Sequence, residues 1–123
     1  TVEYHEVRAH GALPDPTHFD GGSLVTIDVM LANPCASADG DGSGRQGDFE
    51  GGRFVTAEAD GSLTAHQFER GDAIFFVSHK YHSVSTLTRG TRQVMVCELW
   101  QGTENLRPTR DETERWQGEW KDS

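Results

Sequence analysis

The sequence contains little cysteine and no long hydrophobic run, and each absence excludes a class of protein. Its two cysteines, Cys35 and Cys97, are too few and too unpatterned for a disulfide scaffold or a CxxC zinc site, so we expect free thiols. No apolar segment approaches the ~20 residues that a membrane-spanning helix needs. The first residues show neither a basic region nor a hydrophobic signal core. We therefore expect a soluble chain, whose compartment is barely constrained because the sequence begins at Thr1 rather than Met.

Basic residues are also scarce. Eleven basic side chains stand against twenty acidic ones, which gives a formal net charge of -9. Because a surface of this sign repels a phosphate backbone, we expect no nucleic acid partner. The charge indicates mainly a solvated surface and, as a second option, a surface that attracts a basic peptide. With 123 residues the chain is long enough for one domain built around one hydrophobic core.

The apolar residues recur with the spacing of β-strands. Short runs rich in β-branched and aromatic side chains are separated by turn signals such as Gly21-Gly22 and Gly71-Asp72. The predicted strands cover residues 2–7, 24–31, 53–58, 63–68, 73–77, 82–87 and 93–100. We expect a turn at Arg89-Gly90 between the last two. Strands of this length and spacing predict an all-β fold, either a sandwich or a jelly roll.

His18 and Asp20 form a short motif with metal-binding chemistry. Side chains alternate across a strand, so these two residues project to one side while Phe19 points away. With the imidazole of His82 they provide the two nitrogens and one carboxylate by which non-haem Fe(II) oxygenases hold iron and keep coordination positions open. Each residue alone has an ordinary explanation, because a lone histidine is commonly a surface residue and Asp20 before Gly21-Gly22 can start a turn.

Arg92 lies ten residues after His82 within an apolar strand pattern. The period of two places it on the same face as two valines and Glu98. A buried guanidinium needs an anion, because an unpaired buried charge is costly and the planar fork fits a carboxylate. That anion is either a bound ligand or Glu98. Arg89 is a rival for the ligand, although a turn at this point should leave it exposed.

In this order, these residues resemble the iron- and 2-oxoglutarate-dependent dioxygenases, most closely their prolyl 4-hydroxylase-like branch. The resemblance covers about three quarters of the chain, from the His18-Phe19-Asp20 triplet to Trp100. It includes residues 23–31, 48–52, 71–76 and 82–92. Each segment alone is weak, since short patterns arise by chance, but together they follow the order and spacing of the family.

The resemblance implies a double-stranded β-helix (jelly roll) with few short helices over residues 1–102. It also implies that His18, Asp20 and His82 bind Fe(II), and that Arg92 binds the distal carboxylate of the cosubstrate 2-oxoglutarate. The implied enzyme uses O2, with ascorbate as a further candidate cofactor, and hydroxylates an unactivated C–H bond while releasing succinate and CO2. The expected partner is a peptide, with proline as the candidate residue, or a small molecule; the oligomeric state is open.

The chain departs from the family pattern at Met30, where the oxygen-sensing prolyl hydroxylases carry a tyrosine. The second contact to the cosubstrate is therefore unassigned. Residues 35–47 are rich in Ala, Ser, Asp and Gly and should form a flexible loop, either a plain hairpin tip or a border of the active-site mouth. The polar tail at residues 103–123 carries Trp116 and Trp120, which could dock a short helix onto the sheet unless the terminus is frayed.

Two other functions fit parts of the sequence. A catalytically silent β-sandwich that serves as a binding domain would keep the fold without the reaction. A cupin-type metalloenzyme would use a metal without 2-oxoglutarate, although it would carry His-x-His rather than His-x-Asp. The remaining histidines support no other metal site: His79 and His82 lie three apart at the end of a predicted strand rather than on a helix, and His5, His10 and His66 lack partners at ligand spacing.

Overall fold

The computed structural model describes residues 1–35 and 47–101, and these residues form eight β-strands. The strands are β1 (Val2–Arg8), β2 (Val25–Met30), β3 (Phe49–Gly51), β4 (Phe54–Ala57), β5 (Leu63–His66), β6 (Ala73–Val77), β7 (His82–Val84) and β8 (Leu87–Leu99). Within these two ranges no helix is long and apolar enough to cross a membrane. The predicted all-β class is confirmed. The predicted loop, apart from its first and last residues, and the polar tail lie outside the described residues.

The strands form two antiparallel sheets. The larger sheet has the order β1-β8-β2-β6, and β3 also pairs with the first part of β8; the smaller sheet has the order β5-β4-β7. Side chains of the two sheets meet in the core, where the rings of Phe54 in β4 and Phe76 in β6 lie 5.4 Å apart. This arrangement is the double-stranded β-helix, or jelly roll, that the resemblance implies.

Alternation along the strands separates core from surface, and it places polar groups inside. Arg92 and Glu98 of β8 are buried together with the valines between them, as the period of two predicts. On the neighbouring strand β2, Thr26, Asp28 and Met30 are buried while the residues between them are partly exposed. The inner face of the larger sheet therefore carries a group of polar side chains beside the apolar core, and such groups require partners or a function.

The last two strands differ from the prediction. β7 ends at Val84, and β8 begins at Leu87 and continues through Arg89 and Gly90 without interruption. The predicted turn at Arg89-Gly90 is therefore wrong. Gly90 has a φ of 77°, and a Cβ at this position would collide with the carbonyl oxygen of Asp48. Glycine is needed here because two backbones approach closely, not because the chain turns.

Residues 48–52 contain a short strand that is followed by a turn. β3 pairs with β8 over three residues, with an irregularity between Glu50 and Gly51, and the side chain of Phe49 is buried in the core. Gly51 and Gly52, with φ of 77° and 59°, then turn the chain into β4. Three residues are too few for a period of two to be visible in the sequence, so this strand was not predicted.

Candidate metal centre

His18, Asp20 and His82 come together in the structure. One ligand atom from each lies within 4.8 Å of the others, and no second cluster of this kind occurs in the part of the chain that the structure describes. Oδ1 of Asp20 lies 3.3 Å from Nε2 of His18 and 3.6 Å from Nε2 of His82. Two imidazole nitrogens and one carboxylate oxygen thus converge on one point, which is a donor set suited to a divalent transition metal with open coordination positions.

The backbone around His18 and Asp20 is irregular, not a strand as the sequence predicted. Two backbone hydrogen bonds nevertheless fix it: the amide of His82 donates to the carbonyl of His18 at 2.9 Å, and the amide of Asp20 donates to the carbonyl of Ser78 at 2.8 Å. The expected alternation persists, since Phe19 is exposed and its ring stacks on His79. The two candidate ligands therefore still project to the same side.

The protonation state of His82 suits metal binding. Its Nδ1 lies 2.9 Å from the carbonyl oxygen of Lys80, which can only accept a hydrogen bond, so the ring proton resides on Nδ1. This leaves the lone pair of Nε2 directed toward Asp20 and His18. Burial lowers the pKa of His82 below its ordinary value, and the attraction of Asp20 only partly opposes this shift. The imidazole is neutral at pH 7, the form that binds a metal.

A chain of hydroxyl groups holds the other oxygen of Asp20. Thr26 donates to Oδ2 of Asp20 at 2.6 Å, and Ser78 lies 3.1 Å from the Thr26 hydroxyl and accepts from Ser23 at 2.7 Å. Burial opposes ionisation of Asp20, but contacts with His18, His82 and Thr26 together hold its pKa below the ordinary value. Asp20 is therefore an anion at neutral pH. The three hydroxyl residues were not predicted from the sequence.

Arg92 lies inside β8, and only 4% of its surface is exposed. Its Nε and Nη2 have no hydrogen-bond partner among residues 1–35 and 47–101, so Glu98, the internal alternative, does not engage them. These two nitrogens occupy one edge of the guanidinium, the edge that binds a carboxylate with two parallel hydrogen bonds. Burial lowers the pKa of Arg92 to about 10, so the group stays charged at neutral pH. A buried cation with two free donors is suited to an anionic ligand.

Arg89 behaves differently from Arg92. Its side chain is exposed, lies 3.8 Å from a carboxylate oxygen of Glu50, and donates to Sγ of Cys35 at 2.7 Å. The predicted exposure of Arg89 is confirmed, although it results from an outward position on β8 rather than from a turn. Cys35 and Cys97 are both free thiols, as predicted. Arg89 therefore has surface partners of its own.

Asp28 is a polar residue of the interior that was not predicted. It lies on β2 between Thr26 and Met30, is buried, and forms no side-chain hydrogen bond with any described residue. Burial raises the pKa of Asp28 to about 7, and the charge of Arg92 reduces this shift only in part. Asp20 also acts on it electrostatically. The buried carboxyl group of Asp28 is therefore influenced by the charges of both Asp20 and Arg92.

Two solved structures have a similar fold. An oxidoreductase of the 2OG-Fe(II) oxygenase family from Burkholderia pseudomallei matches with a TM-score of 0.61 and 16% identity, over 79% of this chain and 40% of that chain. A prolyl-4-hydroxylase from Pseudomonas putida matches with a TM-score of 0.63 and 17% identity, over 82% of this chain and 52% of that chain. The chain thus spans about half of these proteins or less. No family model and no curated protein matches the sequence.

The likeness shows that this chain has the fold of the 2OG-Fe(II) oxygenases, including a prolyl-4-hydroxylase. The resemblance stated from the sequence is confirmed at this level. At 16% and 17% identity a shared fold does not transfer a reaction or a substrate, because many functions occur on one fold. The function has to be argued from the site of this chain.

Proposed function

We propose that the protein is an Fe(II)- and 2-oxoglutarate-dependent dioxygenase that hydroxylates an unactivated C–H bond. One combination of observations carries this proposal: His18, Asp20 and His82 form a possible metal site, and Arg92 is a buried cation with two free donors. A bound metal alone would explain the three ligands but not the buried, unpaired guanidinium of Arg92. A metal together with a carboxylate ligand accounts for both.

The residues have separate roles in this proposal. His18, Asp20 and His82 would hold Fe(II), and Arg92 would hold the distal carboxylate of 2-oxoglutarate. When bound, iron and 2-oxoglutarate supply the redox chemistry, in which one oxygen atom of O2 enters the substrate C–H bond and the other enters succinate as CO2 is released. The protein contributes the charge of Asp20, the neutral imidazole of His82 and the cation of Arg92 at fixed places.

Aromatic side chains shield one candidate ligand of the centre, His82, from water. The rings of Phe76 and Phe54 lie 4.8 and 5.5 Å from the ring of His82, and both phenylalanines belong to the buried core. They fix the orientation of the imidazole and lower the local polarity, which strengthens the attraction between a cation and the ligand charges. No side-chain acid or base is required, which agrees with the absence of a further catalytic motif in the sequence.

An anaerobic titration with Fe(II) and then 2-oxoglutarate tests the proposal. We expect stoichiometric iron binding and a weak visible charge-transfer band that appears only when both are present. A metalloenzyme of the cupin type would bind iron and give no band, and a silent β-sandwich would bind neither. After admission of O2, slow production of succinate would show turnover of the cosubstrate.

Substitutions of the ligands make the test specific. Asp20→Ala and His82→Ala should abolish stoichiometric iron binding, whereas His79→Ala should not, because His79 is exposed and lies outside the cluster. Far-UV circular dichroism would show whether each variant is folded. Unchanged iron content in both ligand variants would refute the assignment.

The finer proposal is that the substrate is a proline-containing peptide. Its support is the fold shared with a prolyl-4-hydroxylase and a net charge of -9, which attracts basic peptides. Mass spectrometry of a proline-rich peptide library treated with the iron-loaded protein and 2-oxoglutarate should detect a gain of one oxygen atom on proline. If a free amino acid or another small molecule gains oxygen and no peptide does, the prolyl assignment is wrong and the oxygenase class stands.

A further inference from the structure

Phe19 lies between two candidate metal ligands in the sequence, and the proposed function gives it no role. Its side chain is 39% exposed, yet the ring contacts two other aromatic rings. It stacks on His79 with the ring centroids 5.9 Å apart and the planes at 28°, and it lies 6.0 Å from Tyr81 at 46°. Phe75, which is 68% exposed, makes no ring contact with any described residue. Phe19 is therefore held in place by partners, unlike Phe75.

These aromatic contacts join the two segments that carry the candidate ligands. One segment contains His18 and Asp20 on either side of Phe19, and the other runs over residues 78–82 and ends with the third ligand. Two backbone hydrogen bonds join the same segments. The rings of His18 and His82 also meet edge to face, with their centroids 4.6 Å apart. The two segments are thus in contact both at the ligands and on the solvent side, where the ring of Phe19 lies.

The backbone at Phe19 needs such a restraint, because residues 18–20 lie outside the strands and no ladder of hydrogen bonds fixes them. Rotation of the backbone at residue 19 would move the two flanking ligands relative to each other. Metal affinity depends on ligands that are already held in position, since ordering them during binding costs free energy. Aromatic pairs at these distances attract each other beyond the burial of their surfaces. Contacts that hold the ring of Phe19 therefore restrict this rotation.

We propose that Phe19 is a positioning residue of the metal centre. Its ring, held by His79 and Tyr81, keeps His18 and Asp20 in the arrangement that binds the metal. This role rests on the proposed function, because it requires the metal centre, but it is independent of the cosubstrate and of the substrate. Phe19 acts through the two ligands beside it and touches neither the metal nor the reactants. Because its ring is partly exposed, its loss should weaken metal binding without unfolding the protein.

Calorimetric titration of the metal-free protein with Mn(II) tests this role without turnover. Phe19→Ala should bind Mn(II) about tenfold more weakly than the wild type, as expected for a residue that orients metal ligands. Phe19→Tyr keeps the ring and should restore the affinity. Phe75→Ala is the matched control, because it removes an exposed phenylalanine that has no ring contact with a described residue, and it should bind like the wild type. Wild-type affinity of Phe19→Ala, or no recovery in Phe19→Tyr, would overturn the role.

A second pair of variants tests whether the ring contact is responsible. His79→Ala should still bind metal stoichiometrically but with lower affinity, because it removes the ring on which Phe19 stacks. The double variant Phe19→Ala/His79→Ala should lose less affinity than the product of the two single losses, since both substitutions remove the same contact. A double variant in which the two losses multiply would show that Phe19 does not act through His79.

Urea denaturation of the metal-free variants separates positioning from a purely structural role. If Phe19 only stabilised the fold, Phe19→Ala would unfold at lower urea concentration while its folded form bound Mn(II) as tightly as the wild type. That result would overturn the role of Phe19 and leave the proposed function intact. Absence of Mn(II) binding by the wild type would overturn the proposed metal centre itself. If Phe19→Ala fails to fold, Phe19→Leu, which keeps apolar bulk without the flat ring, is measured by the same criterion.

Discussion

Thr26 donates a 2.6 Å hydrogen bond to Oδ2 of Asp20, and this bond assigns the two oxygens of the carboxylate to different partners. Oδ1 faces the imidazoles of His18 and His82. Because a carboxylate can only accept, the single proton of the Thr26 hydroxyl is committed to Asp20, and Ser78 must donate in the 3.1 Å contact between the two hydroxyls. Asp20 is thereby oriented to bind a metal through one oxygen.

Thr26→Val should weaken metal binding by about 10- to 100-fold, because it keeps the volume of the side chain and removes the bond that orients Asp20. Competition with a metallochromic chelator would measure the change in affinity. Thr88→Val, at an exposed position on β8, should have no effect and serves as the control. Equal metal affinity of Thr26→Val and the wild type would contradict the orienting role of Thr26.

Arg92→Ala should weaken 2-oxoglutarate binding by roughly 2–5 kcal/mol, since it removes a charge-assisted contact with two hydrogen bonds from a buried site. Arg89→Ala should change binding little, because Arg89 is exposed and contacts Glu50 and Cys35. Titration of the metal-loaded variants with 2-oxoglutarate measures both effects. A larger loss in Arg89→Ala would move the anion site from the interior to the surface.

Gly52→Ala should disturb Arg92 through direct contact. A Cβ at this position would lie 2.6 Å from Cδ1 of Leu87 and 3.2 Å from Cδ of Arg92. Gly61→Ala is the control for backbone strain, because Gly61 also has a positive φ, of 84°, but open space around it. Gly61→Ala should cost about 1 kcal/mol of unfolding free energy. Gly52→Ala should cost more and also weaken 2-oxoglutarate binding; equal effects in both variants would exclude the contact.

Asp28 should make the metal-free protein less stable as the pH rises. Its pKa is about 7 in the folded state against an ordinary value of 3.8, so between these two pH values the folded protein holds a proton that the unfolded chain has released. The unfolding free energy of the wild type relative to Asp28→Asn should therefore fall by about 2–3 kcal/mol from pH 5 to pH 7.5. Urea denaturation of both proteins at the two pH values measures this change. A difference independent of pH would show that Asp28 does not titrate in this range.

Much of the fold was predictable because alternating side chains leave a clear pattern in longer strands. The run at residues 73–77 coincides with β6, and the run at 24–31 encloses β2. The same alternation predicted that Arg92 and Glu98 point inward. The prediction of a turn at Gly90 was wrong. This glycine allows the backbone of Asp48, from a distant part of the chain, to approach closely, and the sequence alone does not distinguish it from a glycine in a turn.

The candidate site was predictable only in part. His18, Asp20, His82 and Arg92 were identified by residue type and order, and the structure brings the first three together. The irregular backbone at His18 and Asp20 depends on hydrogen bonds with Ser78 and His82, some sixty residues away, which no local pattern reveals. Asp28 and Thr26 share the inward face of β2 with Met30. Threonine and aspartate are commonly surface residues, so only the structure shows that these two side chains lie in the interior.

The long strand β8 links the proposed anion site to correct strand pairing. It pairs with β1, β2 and β3, and it carries Arg92 at an inward position. If β8 shifted by one residue against all three partners, Arg92 would turn toward solvent and Gln93 would turn inward, because side chains alternate. A copy with shifted pairing would therefore lack the buried guanidinium altogether. In such a molecule, loss of the native strand pairing would also remove the proposed anion site.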